Sequence, residues 1–345
     1  MRLIFDIAFR TFSAVILAVA VSLGAFAQPG NNAYSFLEIA ESPRSLALGG
    51  YAPALVASQH MVAEQNPALL GAEVERVAGL AYMRYYGSAN LATLRFSHSA
   101  GERGAYSLGI RYLDYGTIEG YDPSGNAIGS FKPNDLLVQG SYSYDFNDRL
   151  RGGITAKAVF SNYHDYSAVA LAADLGINYY DDEHDLSLSA VIRNAGGQVK
   201  RFADEYDHLP FDILLGYMQG LGNGPFSLSI TAHHLTRWHL PYYKHSGSST
   251  TGGDAEEEGP SDGKFFTKLF RHLTFGLQYM PSDRFWLAAG YDYKTRTDMS
   301  AYRRNFFSGI SLGAGVSVSA FDVSVSYSQP HASAACLALE LDWWF

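Results

Sequence analysis

The chain has 345 residues and a net charge of −9, which argues against nucleic acid as a partner. Tyrosine (24), phenylalanine (21) and glycine (34) are plentiful, yet only 17% of residues are charged. That balance suits neither a soluble domain nor a helical membrane bundle; it suits strands with one apolar and one polar face.

In chain order, Arg2 and Arg10 flank a short charged start, residues 11–26 are apolar and small, and Ala25-Phe26-Ala27 has the pattern of a cleavage site. Residues 1–27 are therefore expected to be an export signal and are set aside from the fold. The apolar run is shorter than the ~20 residues a spanning helix needs, and no later stretch is apolar enough for one. Any membrane crossing is thus expected through strands. Cys336 is the only cysteine, so no intrachain disulfide is expected. Residues 28–75 lack strand periodicity and are expected to form an N-terminal hatch.

From residue 76 the period is two. Residues 105–113 set Tyr106, Leu108, Ile110 and Tyr112 against Ser107, Gly109 and Arg111. Residues 321–328 set Phe321, Val323, Val325 and Tyr327 against Asp322, Ser324, Ser326 and Ser328. Such alternation marks strands with one face in an apolar medium. Fourteen segments follow, near 76–86, 89–98, 104–115, 134–146, 149–162, 166–180, 184–194, 209–219, 225–235, 269–280, 284–295, 303–317, 320–329 and 335–345. Each is long enough for a tilted crossing, which takes about 9–11 residues. Connections of one parity are short; most of the other parity are long, at 116–133, 194–209, 236–268 and 295–302. A sandwich has no reason for that asymmetry, whereas outer-membrane barrels have short periplasmic turns and long extracellular loops. The fold expected is all-β: a fourteen-stranded antiparallel transmembrane outer-membrane barrel over residues 76–345, with a short N-terminal hatch and both mature ends periplasmic.

Tyr144, Phe146, Tyr179, Tyr180, Tyr279, Trp286, Tyr291, Tyr293 and Trp344 fall near strand ends, as interfacial girdles require. The last strand sets Leu337, Leu339, Leu341, Trp343 and Phe345 against Ala338, Glu340 and Asp342. Burying those carboxylates in lipid is costly, so they are expected to face the lumen. The inward faces are mostly Ser, Gly, Asp, Arg, Lys and Gln, an expectation of a polar lumen unsuited to fatty solutes.

The acidic, low-complexity stretch at about 245–263 is expected to be a disordered exposed loop. Residues 116–133 read as a projecting hairpin. Tyr121, Lys200, Arg201, Trp238, Asp254 and Glu256 in these loops are the candidate partner contacts. His233, His234, His239 and His245 invite a metal, but neighbours on a strand point to opposite faces and cannot share one ion. The acidic run 254–258 lacks the alternating ligand pattern of a calcium loop. No catalytic motif occurs, and no cofactor or metal is expected.

Within the hatch, Phe36, Leu37, Arg44, Leu48, Gly49 and Gly50 form the phrase F-L-x(6)-R-x(3)-L-G-G, followed by Asn66, Pro67, Ala68, Leu69 and Leu70. This resembles the opening of the PorV/PorQ group of type IX secretion outer-membrane proteins, part of the FadL-like barrel superfamily. Phe345 at the end of an apolar strand face, with Trp343, resembles the barrel-insertion signal of outer-membrane proteins. The resemblance implies a non-enzymatic anchor for a cell-surface attachment complex. Its implied partners are a PorZ-like surface protein, a PorU-like sortase, a PorV-like barrel and outer-membrane lipopolysaccharide. The alternative is a FadL-type transporter of hydrophobic small molecules.

Overall fold

The computed structural model describes residues 34–57, 60–85, 87–122, 124–203, 206–222, 224–238, 240, 265–298, 306–331 and 334–345. The expected export signal, the acidic segment 245–263 and both Asp254 and Glu256 lie outside them.

The period-two segments form β1 (Arg76–Arg84), β2 (Asn90–Ser99), β3 (Gly104–Asp114), β6 (Asn134–Asn147), β7 (Leu150–Tyr163), β8 (Tyr166–Asp181), β9 (Leu186–Lys200), β10 (Asp212–Gly220), β11 (Phe226–Ala232), β12 (Leu273–Ser282), β13 (Phe285–Asp292), β14 (Ile310–Val318), β15 (Phe321–His331) and β16 (Ala334–Trp344). These fourteen strands pair antiparallel with their chain neighbours, and β16 pairs back onto β1, closing a barrel. Closure leaves no edge strand in the barrel. A hairpin of β4 (Ile118–Tyr121) and β5 (Ala127–Phe131) stands apart between β3 and β6. Asp122 shapes its tip by accepting the amides of Ser124 (2.9 Å) and Asn126 (2.8 Å).

The barrel is inside-out relative to a soluble protein. Leu108 is 60% exposed while its strand neighbour Ser107 is 1% exposed; Leu339 is 48% exposed and Glu340 3%. The polar face therefore points into the lumen, as the alternation requires.

Several boundaries differ from the sequence reading. β9 runs on to Lys200, absorbing an irregularity where Asn194 takes a left-handed φ of 54°. β11 stops at Ala232, because His234 also turns left-handed (φ 55°) and its amide is held by Asp212. β13 stops at Asp292, whose carboxylate accepts the Lys294 amide (2.9 Å) and the Thr295 hydroxyl, starting the short helix Tyr293–Asp298 in place of more strand. β12 begins at Leu273 after a helical turn, Phe265–Phe270. β14 begins at Ile310, and 303–305 of its expected segment lie outside the described residues. Trp286, expected in the girdle, faces the lumen with Ala288 and Gly290; its outward neighbour Phe285 takes the apolar side.

The hatch fills the lumen. It consists of the 3₁₀ turn Ser35–Glu38, helix Pro43–Ala47, and the 3₁₀ turns His60–Glu64 and Pro67–Leu69. Phe36, Leu37, Arg44, Asn66 and Ala68 are all at most 3% exposed.

Candidate functional site

The hatch phrase is built to lie against thinned wall. Ser42 caps the helix Pro43–Ala47 by accepting the Arg44 amide. Gly49 and Gly50 then adopt φ of 97° and 89°, and the Gly50 amide reaches back to the Ser45 carbonyl at 3.0 Å. A side chain is strained there. The turn also presses on β13: a Cβ on wall residue Gly290 would collide with the Gly49 nitrogen and the Leu48 carbonyl carbon.

The second half of the phrase meets the opposite wall. Asn66 accepts the Ala68 amide (2.9 Å) and donates to the Pro53 carbonyl and Ser189 Oγ, each at 3.0 Å. Instead of only ending the preceding turn, Asn66 also starts the next. Gly153 and Gly176 make room for it. A Cβ on Gly153 would stand 2.5 Å from the Pro67 carbonyl carbon, and one on Gly176 would strike Asn66 Oδ1.

Between these anchor points lies a buried charge lock. Glu41 Oε1 accepts Arg111 Nε (2.7 Å) and Gln139 Nε2 (3.1 Å), and its Oε2 accepts Arg95 Nη2 (2.9 Å). Glu64 Oε2 accepts Arg111 Nη2 (2.8 Å), and its Oε1 accepts the Glu41 amide (2.6 Å). Arg111 Nη1 also donates to the carbonyls of Phe36 (3.0 Å) and Ile39 (3.1 Å). Burial alone would raise the Glu41 pKa, but Arg111 and Arg95 overcome it and hold the carboxyl at about 2. Burial, with Glu41 nearby, pushes Glu64 upward. Burial and Arg95 push the His60 imidazole down to about 3, which keeps it neutral. Burial lowers Arg44 to about 10; its Nε donates to Gln278 (2.9 Å) and its guanidinium lies 5.2 Å from the Trp286 ring centre.

At the end of the barrel that carries the longer loops, the hatch floors a cavity of about 500 Å³. Phe36, Ile39 and Tyr115 line one side, and His233, Asp292 and Lys294 the other. The His233 ring stacks on Tyr51 at 4.3 Å, and His234 packs edge-on to both. The opposite-face argument for these histidines does not apply, because the strand has already ended. Nor is the whole lumen polar. Its inner wall on this side carries Met83, Leu91, Leu113, Leu137, Val159 and Ala170, packed on Phe36 and Leu37. The sequence reading averaged each inward face over its full length and so missed this apolar patch.

The loop candidates keep to local contacts. Tyr121 is 58% exposed on the hairpin. Lys200 Nζ donates to Ser167 Oγ (2.6 Å), Arg201 lies over the Tyr206 ring, and Trp238 stacks on His272. These contacts do not join them into one constellation. Trp343 and Phe345 pack together, facing outward. Sequence reasoning missed Glu41, Glu64, Arg95, Arg111 and Gln139. The available signal was the charge itself: Arg111 already stood on the inward face of its strand, and a buried arginine needs an acid. Among the described residues, Asp181, Glu183 and His184 form a carboxylate–imidazole trio at a short turn, where Arg149 pairs with Glu183 at 3.1 Å.

No family profile matches this sequence, and no curated protein sequence does. Solved structures do match. The toluene transporter TodX of Pseudomonas putida aligns over 92% of this chain and 97% of its own, with TM-score 0.51 and 11% identity. The monoaromatic hydrocarbon channel CymD aligns over 91% and 99%, with TM-score 0.52 and 13% identity. A deletion mutant of TodX gives 0.53 at 10% identity, over 87% and 96%. At such identities the likeness speaks to the fold. The class is a closed fourteen-stranded antiparallel barrel built around an internal segment, the fold these channels share.

Proposed function

We propose that the chain is a non-enzymatic outer-membrane barrel sealed by its hatch, serving as the anchor of a type IX surface-attachment complex. The observation that carries this reading is the charge lock. A solute crossing the middle of the lumen has to part Glu41 and Glu64 from Arg95 and Arg111, at a high desolvation cost. The hatch wording supports it as well; within the group, S-P-R-S-L-A-L-G-G and the chain length lie nearer PorQ than PorV. On this reading the long loops are extracellular, both mature ends are periplasmic, and a PorZ-like surface protein sits on the loops, beside PorU-like and PorV-like components.

A second reading, a channel for hydrophobic small molecules, draws on different observations. The solved-structure comparisons support it better than the first, since TodX and CymD are described as hydrocarbon channels or transporters. The apolar patch and the cavity at the long-loop end suit it too. Gentle detergent extraction with affinity purification, paired with hydrophobic-substrate uptake in a deletion strain, separates the two. Co-purification of a surface protein with unchanged uptake supports the anchor. Isolation alone, with reduced uptake, sinks it and establishes the channel.

A further inference from the structure

The outward face of the barrel is not an even apolar band. Across β6 to β10 its side chains leave a groove of about 480 Å³. The floor is small, Gly152 on β7 and Ala190 on β9, and Tyr144, Ile154, Ile177 and Ile192 stand around it. Strand register sets them side by side: Tyr144 pairs with Gly152, Gly152 with Ile177 and Ile177 with Ala190. Phe146 closes the end nearest the short turns. It packs edge-on to Tyr144 at 6.0 Å and lies over Gly152, where a Cβ would meet its ring at 2.6 Å. The wall is thin there from both sides, because Gly153 and Gly176 seat Asn66 and Pro67 of the hatch on the inner face. Groove and hatch seat are thus two faces of one glycine-thinned patch.

Aliphatic and aromatic side chains line the groove, so it suits a hydrocarbon chain and penalises a polar segment. It is continuous with the apolar band of the barrel, which puts lipid at its mouth. Charge is confined to one end. Arg149, on the turn that joins Phe146 to Gly152, has its side chain 42% exposed and stands 3.1 Å from Glu183 Oε1 on the next short turn. Asp148, Asp182 and Asp185 are exposed on the same two turns. Arg151 is spent on Asp145 and Glu73. One available cation among several acids repels an anionic headgroup. It complements a headgroup that carries both signs, a phosphate for Arg149 and an ammonium for the acids.

We propose that this groove is a phospholipid site: one acyl chain lies across Gly152 and Ala190, and a zwitterionic, amine-bearing headgroup rests on the Arg149–Glu183 pair. The bound chain backs the wall where Asn66 and Pro67 press from inside, and so braces the hatch seat. This goes beyond the anchor and channel readings, and neither depends on it.

Mass spectrometry of the intact complex tests it, with the full-length protein in mild detergent titrated with phosphatidylethanolamine or phosphatidylglycerol. One phosphatidylethanolamine is expected to bind about tenfold more tightly than phosphatidylglycerol. Filling the floor with Gly152→Leu and Ala190→Phe is expected to weaken that binding about tenfold. Ala314→Phe, outward on β14, is expected to leave it unchanged. Asp182→Asn with Glu183→Gln keeps the groove and is expected to erase the preference between the two lipids. The proposal is overturned if the native chain holds no stoichiometric phospholipid or holds phosphatidylglycerol as tightly. It is equally overturned if filling the floor changes nothing, or if the preference survives the loss of both acids. Should the filled variant fail to fold, a phosphatidylethanolamine with a diazirine in its acyl chain decides on the native protein. Crosslinks concentrated on β7 to β9 are expected, and crosslinks spread evenly around the barrel overturn the site.

Discussion

On the β2–β6 side of the hatch, all four carboxylate oxygens of Glu41 and Glu64 accept at least one hydrogen bond, and two of the donors are arginines. On the β15–β16 side, Glu340 and Asp342 occupy successive inward positions of β16, and His60 Nε2 stands 3.3 Å from Asp342 Oδ1. Both sides are buried to a similar depth, so burial does not distinguish them. What differs is where the compensating charge comes from. The first side carries its cations in the chain, on inward positions of β2 and β3. The second meets the hatch through Asp342 and His60, whose imidazole burial keeps neutral. A buried acid with a fixed arginine is costly to part, because breaking the pair leaves an uncompensated charge.

The largest expected effect breaks the complete side. Arg111→Ala strands Glu64 and leaves Glu41 to Arg95 alone, and removing one partner of a buried pair costs about 3–5 kcal/mol. Loss of the heat-modifiable folded band, or rapid proteolysis of the hatch, would register it. Adding Glu64→Gln should recover part of the loss, because the orphaned charge goes with it; no recovery would mean that Arg111 acts mainly through the Phe36 and Ile39 carbonyls.

Acid should dissolve the same joint. Glu41 is depressed from the ordinary value of 4.5 to about 2, so its contribution is complete above about pH 4.5 and is lost as the pH falls towards 2. That shift corresponds to about 3 kcal/mol. Glu64, raised by burial, protonates earlier and offsets part of the loss. Hatch proteolysis measured against pH should accelerate only below about pH 4.5, and acceleration near neutrality would contradict the assignment.

Next in size is the wall seat. Gly176→Ala places a methyl group on Asn66 Oδ1, and overpacking of this kind costs about 1–3 kcal/mol. The transition temperature should drop, while Gly224→Ala, whose Cβ would meet nothing nearer than the Leu221 carbonyl oxygen at 3.6 Å, should lower it less. Smallest is Asn66→Ala, which removes the cap on Ala68 and the bonds to Pro53 and Ser189, for about 1–2 kcal/mol by thermal unfolding.

The strands were legible because a period of two records which face meets an apolar medium. Leu108, Ile110 and Arg111 are sorted correctly by alternation alone. Strand ends were less legible. They depend on single events such as the left-handed turn at His234 or the Asp292 cap, which alternation does not register. Trp286 shows the related limit: an aromatic near a strand end reads as girdle until its face is known.

For the hatch, local chemistry in the sequence determined the phrase itself. Gly49 and Gly50 had to turn where other residues are strained, and Asn66-Pro67 had to break one run and start another. What held that phrase in place was decided only in three dimensions. Glu41 meets Arg111 across 70 residues, and Arg44 meets Gln278 across 234. No local pattern encodes such pairings; they exist because barrel closure brings distant inward faces around one buried segment. The same closure set Asp322, Glu340 and Asp342 side by side, next to His60. The sequence determined that these acids face inward, and only the register of β15 on β16 set Asp322 opposite Asp342.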